Sequence, residues 1–223
     1  MSGVAQPVLH PVRVSVAPAR RLPQLVGGLI LYGVSMAMMT RAGLGLDPWN
    51  VLHEGLMKHT GLSFGTVTAL ASMAALLLWI PLRQRPGVGT VANIVIIAAV
   101  VDLVRLVLPA QHTFGWQLTL LLGGVALNAF ATATYVGARL GPGPRDGLMT
   151  GLSRRTGRSI RLIRTCIEVA VVAVGWLLGG TLGGGTVLYA LSIGPLTQAF
   201  LRRVTWRERP VSRPAGESAP CAA

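Results

Sequence analysis

Six apolar runs set the first constraint on this chain. Pro23 to Thr40, Phe64 to Leu82, Val88 to Leu108, Trp116 to Val136, Arg161 to Gly180 and Gly184 to Val204 each come close to the ~20 residues a helix needs to cross a bilayer. In lipid the backbone must satisfy its own hydrogen bonds, which leaves helices as the spanning elements for runs of this length. The composition agrees: 52% of residues are apolar and 12% are charged, against about a quarter charged in soluble domains. The net charge of +13 is carried by basic residues that punctuate the apolar runs. That pattern reads as membrane topology, and it excludes a nucleic-acid-binding surface as the reason for the charge. Cys166 falls in an apolar run and Cys221 in a polar tail, so no disulfide or metal framework is suggested.

The runs are organised by an internal duplication. "LGLDPWNVLHEGLMKHTG" from Leu44 returns as "LGPGPRDGLMTGLSRRTG" from Leu140, 96 residues later. At the same offset Gly27-Gly28 maps to Gly123-Gly124, Thr60 to Thr156, and "GVGTV" at Gly87 to "GGGTV" at Gly183. The body is therefore two copies of one three-span unit. An odd number of spans per copy makes the second copy enter the membrane from the opposite side, the inverted-repeat arrangement of many transporters. The duplication also argues against reading the first run as a signal peptide, because that run has a counterpart deep in the chain. The expected organisation is a flexible tail over 1–22, repeat 1 over 23–108, a connecting loop over 109–115, repeat 2 over 116–204, and a second tail over 205–223.

Charge asymmetry sets the orientation. With the amino terminus inside, the inner segments hold Arg13, Arg20 and Arg21, then Arg83 and Arg85, then Arg139, Arg145, Arg154, Arg155 and Arg158, then Arg202, Arg203, Arg207 and Arg209. The outer segments hold little more than Arg41 and Lys58, so both termini are expected to be cytoplasmic.

The duplicated phrase falls after the first span of each copy. It predicts a Gly-rich extended piece, a proline at a helix start, about eleven residues of helix and a Thr-Gly stop; at 1.5 Å per residue the helix is roughly 16 Å long, too short to span. Asp47 is a natural cap before Pro48, and Gly143 a weaker one before Pro144. Two placements fit. Trp49, Leu52 and Leu56 share an apolar face opposite Asn50, His53, Glu54 and Lys58, which suits an interfacial helix. Alternatively Arg41 to Asp47 descends extended toward the midplane and the helix climbs back as a re-entrant half-helix. Two such half-helices entering from opposite faces would bring their positive amino termini together near the centre, where anions bind or cations are excluded.

The candidate solute-binding residues follow from that geometry. They are Asp47, Trp49 and Asn50 at the first half-helix start, Arg145 and Asp146 at the second, and Arg164 and Glu168, four residues apart in the fifth span. Asn50 and Asp146 occupy matched positions and would hydrogen-bond a solute, while Arg164 with Glu168 would act as a switchable or proton-linked pair. Asp102 and Arg105 read as interfacial and structural, and Asn93 and Asn128 as residues that bond across helices. "GLSFG" at Gly61 matches the serine-hydrolase elbow pattern but joins a short helix to a span, and no third catalytic partner accompanies it, so no enzyme is expected. No cofactor motif is present in the sequence.

The stretches "GLGLDPWNVLHEGL", "TGLSFGTVT", "PLRQRPGVGTVAN", "GPGPRDGLMTGLSRRTG" and "GWLLGGTLGGGTV" resemble the bacterial YczE-like membrane proteins, related to the broader YitT-like group, across roughly residues 22 to 204. The resemblance implies an integral inner-membrane protein of a bacterium, in a family for which transport and an accessory role in secondary metabolism have both been put forward. The family pattern has Pro-Trp-Asp where this chain has Pro48-Trp49-Asn50. The expectation is therefore an all-α, six-span membrane protein of two inverted repeats. Its leading function is passage of a small polar, anionic solute; the alternative is a membrane scaffold or accessory factor that binds a protein partner or a second copy of itself.

Overall fold

The computed structural model describes residues 15–205. These form eight helices: α1 (Pro18–Ala42), α2 (Pro48–Thr60), α3 (Phe64–Leu77), α4 (Val88–Val107), α5 (Phe114–Gly137), α6 (Pro144–Thr156), α7 (Ile160–Leu177) and α8 (Gly184–Val204), with no strand among the described residues. Each helix of the second half starts 96 residues after its counterpart in the first. The local signals explain this regularity. Pro48 and Pro144 take the first helical position, while Gly61 and Gly157 end α2 and α6 in the left-handed conformation at φ 69° and 68°. Ser63 and Ser159 cap α3 and α7 by accepting the N–H groups of Thr66 and Leu162.

Helix lengths depart from the expected runs. α1 begins at Pro18, five residues earlier than expected, so part of the segment read as a tail is helical and Arg21 is fully buried. Its guanidinium donates to the carbonyls of Ala138 at 2.9 Å and Arg139 at 3.0 Å, closing the end of α5. The rest of the two tails, 1–14 and 206–223, lies outside the described residues. α3 stops at Leu77 after 14 residues, about 21 Å, and the chain turns through Pro81 and Arg83 instead of continuing to Leu82. Three helices, α1, α4 and α5, are long and apolar enough to cross a membrane, and a fourth span is counted if α2 and α3, bent by 115°, are taken as one. Six apolar runs in the sequence therefore correspond to three clear candidate spans.

The halves meet through α1 and α5. Gly28 lies against Tyr135 and Gly124 against Met39 and Ser35, while Ser35 bonds Asn128. Residue numbers rise along one helix as they fall along the other, so the pair is antiparallel. The contacts are also reciprocal, since Gly28 and Gly124 are equivalent, as are Met39 and Tyr135. The Gly185 N–H donates to the Leu44 carbonyl at 2.9 Å, and its counterpart Gly89 donates to Leu140 at 3.1 Å. α4 packs on α1 as α8 packs on α5, and α2 packs on α7 as α6 packs on α3. Such reciprocity is what a two-fold relation between halves produces. Symmetry is incomplete: α2 packs on α7 more extensively than α6 on α3, and α3 packs on α4, whereas α7 and α8 make at most marginal contact.

Outside this core the surface is apolar. Leu70, Met73 and Leu77 on α3, Val95, Leu103 and Leu106 on α4, and Val187 and Leu191 on α8 are all exposed. So extensive an apolar surface fits lipid contact, and the molecule is a membrane protein by composition and by surface.

Candidate functional site

Both short helices are built into the protein. α2 packs on α7, and two of the four side chains read as its polar face, Asn50 and His53, are fully buried. Its far end is tied to the turn before α8, where Glu54 accepts the Thr181 N–H at 2.6 Å and Lys58 donates to the Gly179 carbonyl at 2.7 Å. The α6 start is held by Trp79, which lies against Gly147 and donates from Nε1 to the Pro144 carbonyl at 3.0 Å.

The amino termini of α2 and α6 meet. The Arg145 guanidinium lies over the Trp49 ring at 4.9 Å, and its Nη1 is 3.9 Å from the Asp47 carboxylate. Trp49 and Arg145 are equivalent positions of the two repeats, so the junction sits where the halves face each other. The backbone at the two caps is the same, with φ −63° and ψ 157° at Asp47 and φ −63° and ψ 158° at Gly143. The side chains differ. Asp47 accepts the N–H groups of Trp49 at 3.2 Å and Asn50 at 3.3 Å, whereas no side chain caps α6.

The matched pair Asn50 and Asp146 also diverges. Asp146 accepts the Tyr135 hydroxyl at 3.3 Å, with its carboxylate beside Gly143. At the position equivalent to Tyr135 the first repeat has Met39, which offers no hydroxyl, and both amide atoms of Asn50 are buried without a partner. Trp49 Nε1 and His53 Nε2 are buried without partners as well. Native interiors rarely leave polar atoms in this state, and they concentrate here along one turn of α2.

A cavity of about 60 Å³ adjoins the α6 start, lined by Tyr32, Thr68, Ser72, Asn93, Ile97, Tyr135 and Gly143 to Asp146. Of the candidate solute-binding residues, Arg145 and Asp146 line it directly. Arg164 and Glu168 form their expected ion pair at 2.7 Å on α7, with side chains 44% and 30% exposed, so the pair is on an open face and not at a packed depth.

Tyr32, Thr68, Ser72 and Tyr135 escaped the sequence reading, which singled out charged and amide residues. The duplication carried the signal for two of them, since Thr68 and Ser72 are the counterparts of Arg164 and Glu168. Asn128 bonds across helices as expected, donating to Ser35 at 2.9 Å and accepting from Tyr189 at 3.0 Å. Asn93 instead faces the cavity. Asp102 is structural as expected: it accepts the Gly65 N–H at 2.7 Å and the Ser63 hydroxyl at the start of α3.

A family model described as "Family of unknown function (DUF6198)" matches residues 19–202. An "Uncharacterized protein" of Haemophilus influenzae is 39% identical over 177 residues, which is 79% of this chain and 81% of the relative. The "Uncharacterized membrane protein YczE" of Bacillus subtilis is 33% identical over 172 residues, 75% of this chain and 79% of the relative, in agreement with the resemblance drawn from the motifs. "Uncharacterized protein YyaS" of the same organism is 25% identical over 178 residues, 78% and 89%. No solved structure matches.

Proposed function

We propose, for a chain that belongs to this family of unknown function, that it conducts a small polar, anionic solute across the bacterial inner membrane through the junction of its two half-helices. One observation carries the reading: Arg145 and Trp49, equivalent residues at the two half-helix starts, stack at 4.9 Å. A two-fold relation that exchanges the antiparallel α1 and α5 runs perpendicular to them, and so lies in the membrane plane if they span. That supports two inverted repeats, with the α3, α7 and α8 regions joining α1, α4 and α5 to complete six crossings and both termini cytoplasmic. The half-helices then enter from opposite sides, and their positive ends converge on one central region. Asn50 and Asp146 hydrogen-bond the solute, Asp47 holds Arg145 in place, and Arg164 with Glu168 lines the approach on the α7 side. The role is non-enzymatic, and the partners are the bilayer and the solute.

The test is water accessibility of single cysteines at Trp49, Asn50, Arg145 and Asp146, in a background with Cys166 and Cys221 replaced, using a membrane-impermeant thiol reagent from each side. Labelling at 49 and 50 from outside and at 145 and 146 from inside, with protection by a transported solute, is expected. Rapid labelling that no solute affects would overturn the reading in favour of a scaffold.

A further inference from the structure

The two repeats solve one local problem in different ways, and the difference describes a ligand. Every helix leaves its first-turn N–H groups without partners inside the helix. In α2 the Asp47 carboxylate takes them, accepting from Trp49 N and Asn50 N. In α6 the backbone is the same, but the cap is Gly143, and the N–H groups of Arg145 and Asp146 receive neither a side-chain nor a backbone acceptor among the described residues. The position a side chain at 143 would take lies 3.2 Å from the Asp146 carboxylate and 3.4 Å from the Tyr135 hydroxyl, on the wall of the cavity of about 60 Å³. Ser72 supplies a second, independent observation: it lines that cavity, is 6% exposed, and makes no hydrogen bond to any described group. A donor hydroxyl and two amides without an acceptor therefore border this space, which the Arg145 guanidinium and the Asp146 carboxylate also line.

We infer that the α6 amino terminus and Ser72 form a binding site for a small planar oxyanion of the carboxylate type, for which Asp47 is the built-in counterpart in the first repeat. The inference rests on the conduction reading and names the solute class for that same region. A cavity of about 60 Å³ restricts the ligand to a small one, which admits formate or hydrogencarbonate. Selectivity is directional. Two guanidiniums, Arg145 and Arg164, stand near three carboxylates, Asp47, Asp146 and Glu168. General attraction for anions is thus weak, and a ligand gains chiefly from hydrogen bonds to the amides and to Ser72. Chloride offers the same charge without the two oxygens. Asp146 accepts from any proton the oxyanion carries.

The experiment uses the full chain in lipid nanodiscs, titrated with sodium formate, sodium hydrogencarbonate, sodium chloride or urea at matched ionic strength. Tryptophan fluorescence is the readout, because Trp79 is bonded to Pro144 at the site. Saturable responses to formate and hydrogencarbonate, and none to chloride or urea, are expected. Ser72→Ala should weaken formate binding about tenfold. Gly143→Asn, which places an uncharged cap on the same amides beside the Asp146 carboxylate, should abolish it while the protein still unfolds cooperatively. An equal response to chloride, a response to urea alone, or unchanged formate binding in Gly143→Asn overturns the inference. Flux of a neutral solute in liposomes without formate binding sinks the site and leaves conduction standing. Saturable formate binding that Gly143→Asn abolishes, with no flux of any solute, supports the site and sinks conduction.

Discussion

At the scale of single residues, two adjacent glycines show where the halves touch. A Cβ on Gly28 would sit 2.7 Å from the Tyr135 backbone nitrogen, while one on Gly27 would meet nothing within 4 Å. Gly28→Ala is expected to force α1 and α5 apart and cost about 1–3 kcal/mol, read as a lower melting temperature in detergent. Gly27→Ala should be neutral or stabilising by up to about 1 kcal/mol, since alanine favours the helix. Equal effects at both positions would refute the close approach. Trp79 is buried at 2% exposure against Gly147, so Trp79→Ala should cost about 3–5 kcal/mol through the void it leaves. Trp79→Phe keeps much of the packing and should cost less, chiefly the hydrogen bond to Pro144, about 1 kcal/mol.

Helix starts are the informative elements of this protein. The beginning of α3 is assembled from two places in the chain, with Ser63 as the local cap and Asp102 reaching across from α4 to the Gly65 N–H. Asp102→Ala should lower stability by about 1–2 kcal/mol, and Asp102→Asn by less because an amide oxygen still accepts. Thermal unfolding of the two variants side by side checks the order. The start of α6 differs in kind, because its Asp146 serves the helix and the cavity together. Asp146→Asn retains an acceptor for Tyr135, so folding is expected to survive while solute flux in proteoliposomes falls at least tenfold. Unchanged flux would remove Asp146 from the site.

Across the whole molecule, the antiparallel meeting of α1 and α5 makes a prediction about connectivity within one chain. Ser35 Oγ and Asn128 Nδ2 are 2.9 Å apart. The double variant Ser35→Cys and Asn128→Cys, with Cys166 and Cys221 replaced, should form an intramolecular disulfide on oxidation and migrate as a compact monomer. Disulfide-linked dimers in its place would show that these surfaces meet between chains. The marginal contact between α7 and α8, against the packed α3 and α4, leaves the Arg164–Glu168 pair on the open side of the body.

The sequence alone determined the membrane character, the two-copy plan and most helix starts, because these depend on hydropathy and on neighbours in the chain: Pro48 and Pro144 at first positions, Gly61 and Gly157 at ends, Ser63 and Ser159 as caps. The local i, i+4 pairing of Arg164 with Glu168 was legible for the same reason. The tertiary structure decided how far α3 extends, that α2 buries Asn50 and His53, and which wall of the junction encloses a cavity. That wall joins residues of α1, α3, α4, α5 and α6, and its uncharged members Tyr32, Thr68, Ser72 and Tyr135 look like ordinary residues of apolar helices until packing sets them side by side. Equivalent positions with different side chains, Asp47 against Gly143 and Met39 against Tyr135, are visible in the sequence at an offset of 96. Only the folded backbone shows that they fill the same place in space, one repeat capping its short helix with a side chain and the other leaving it uncapped.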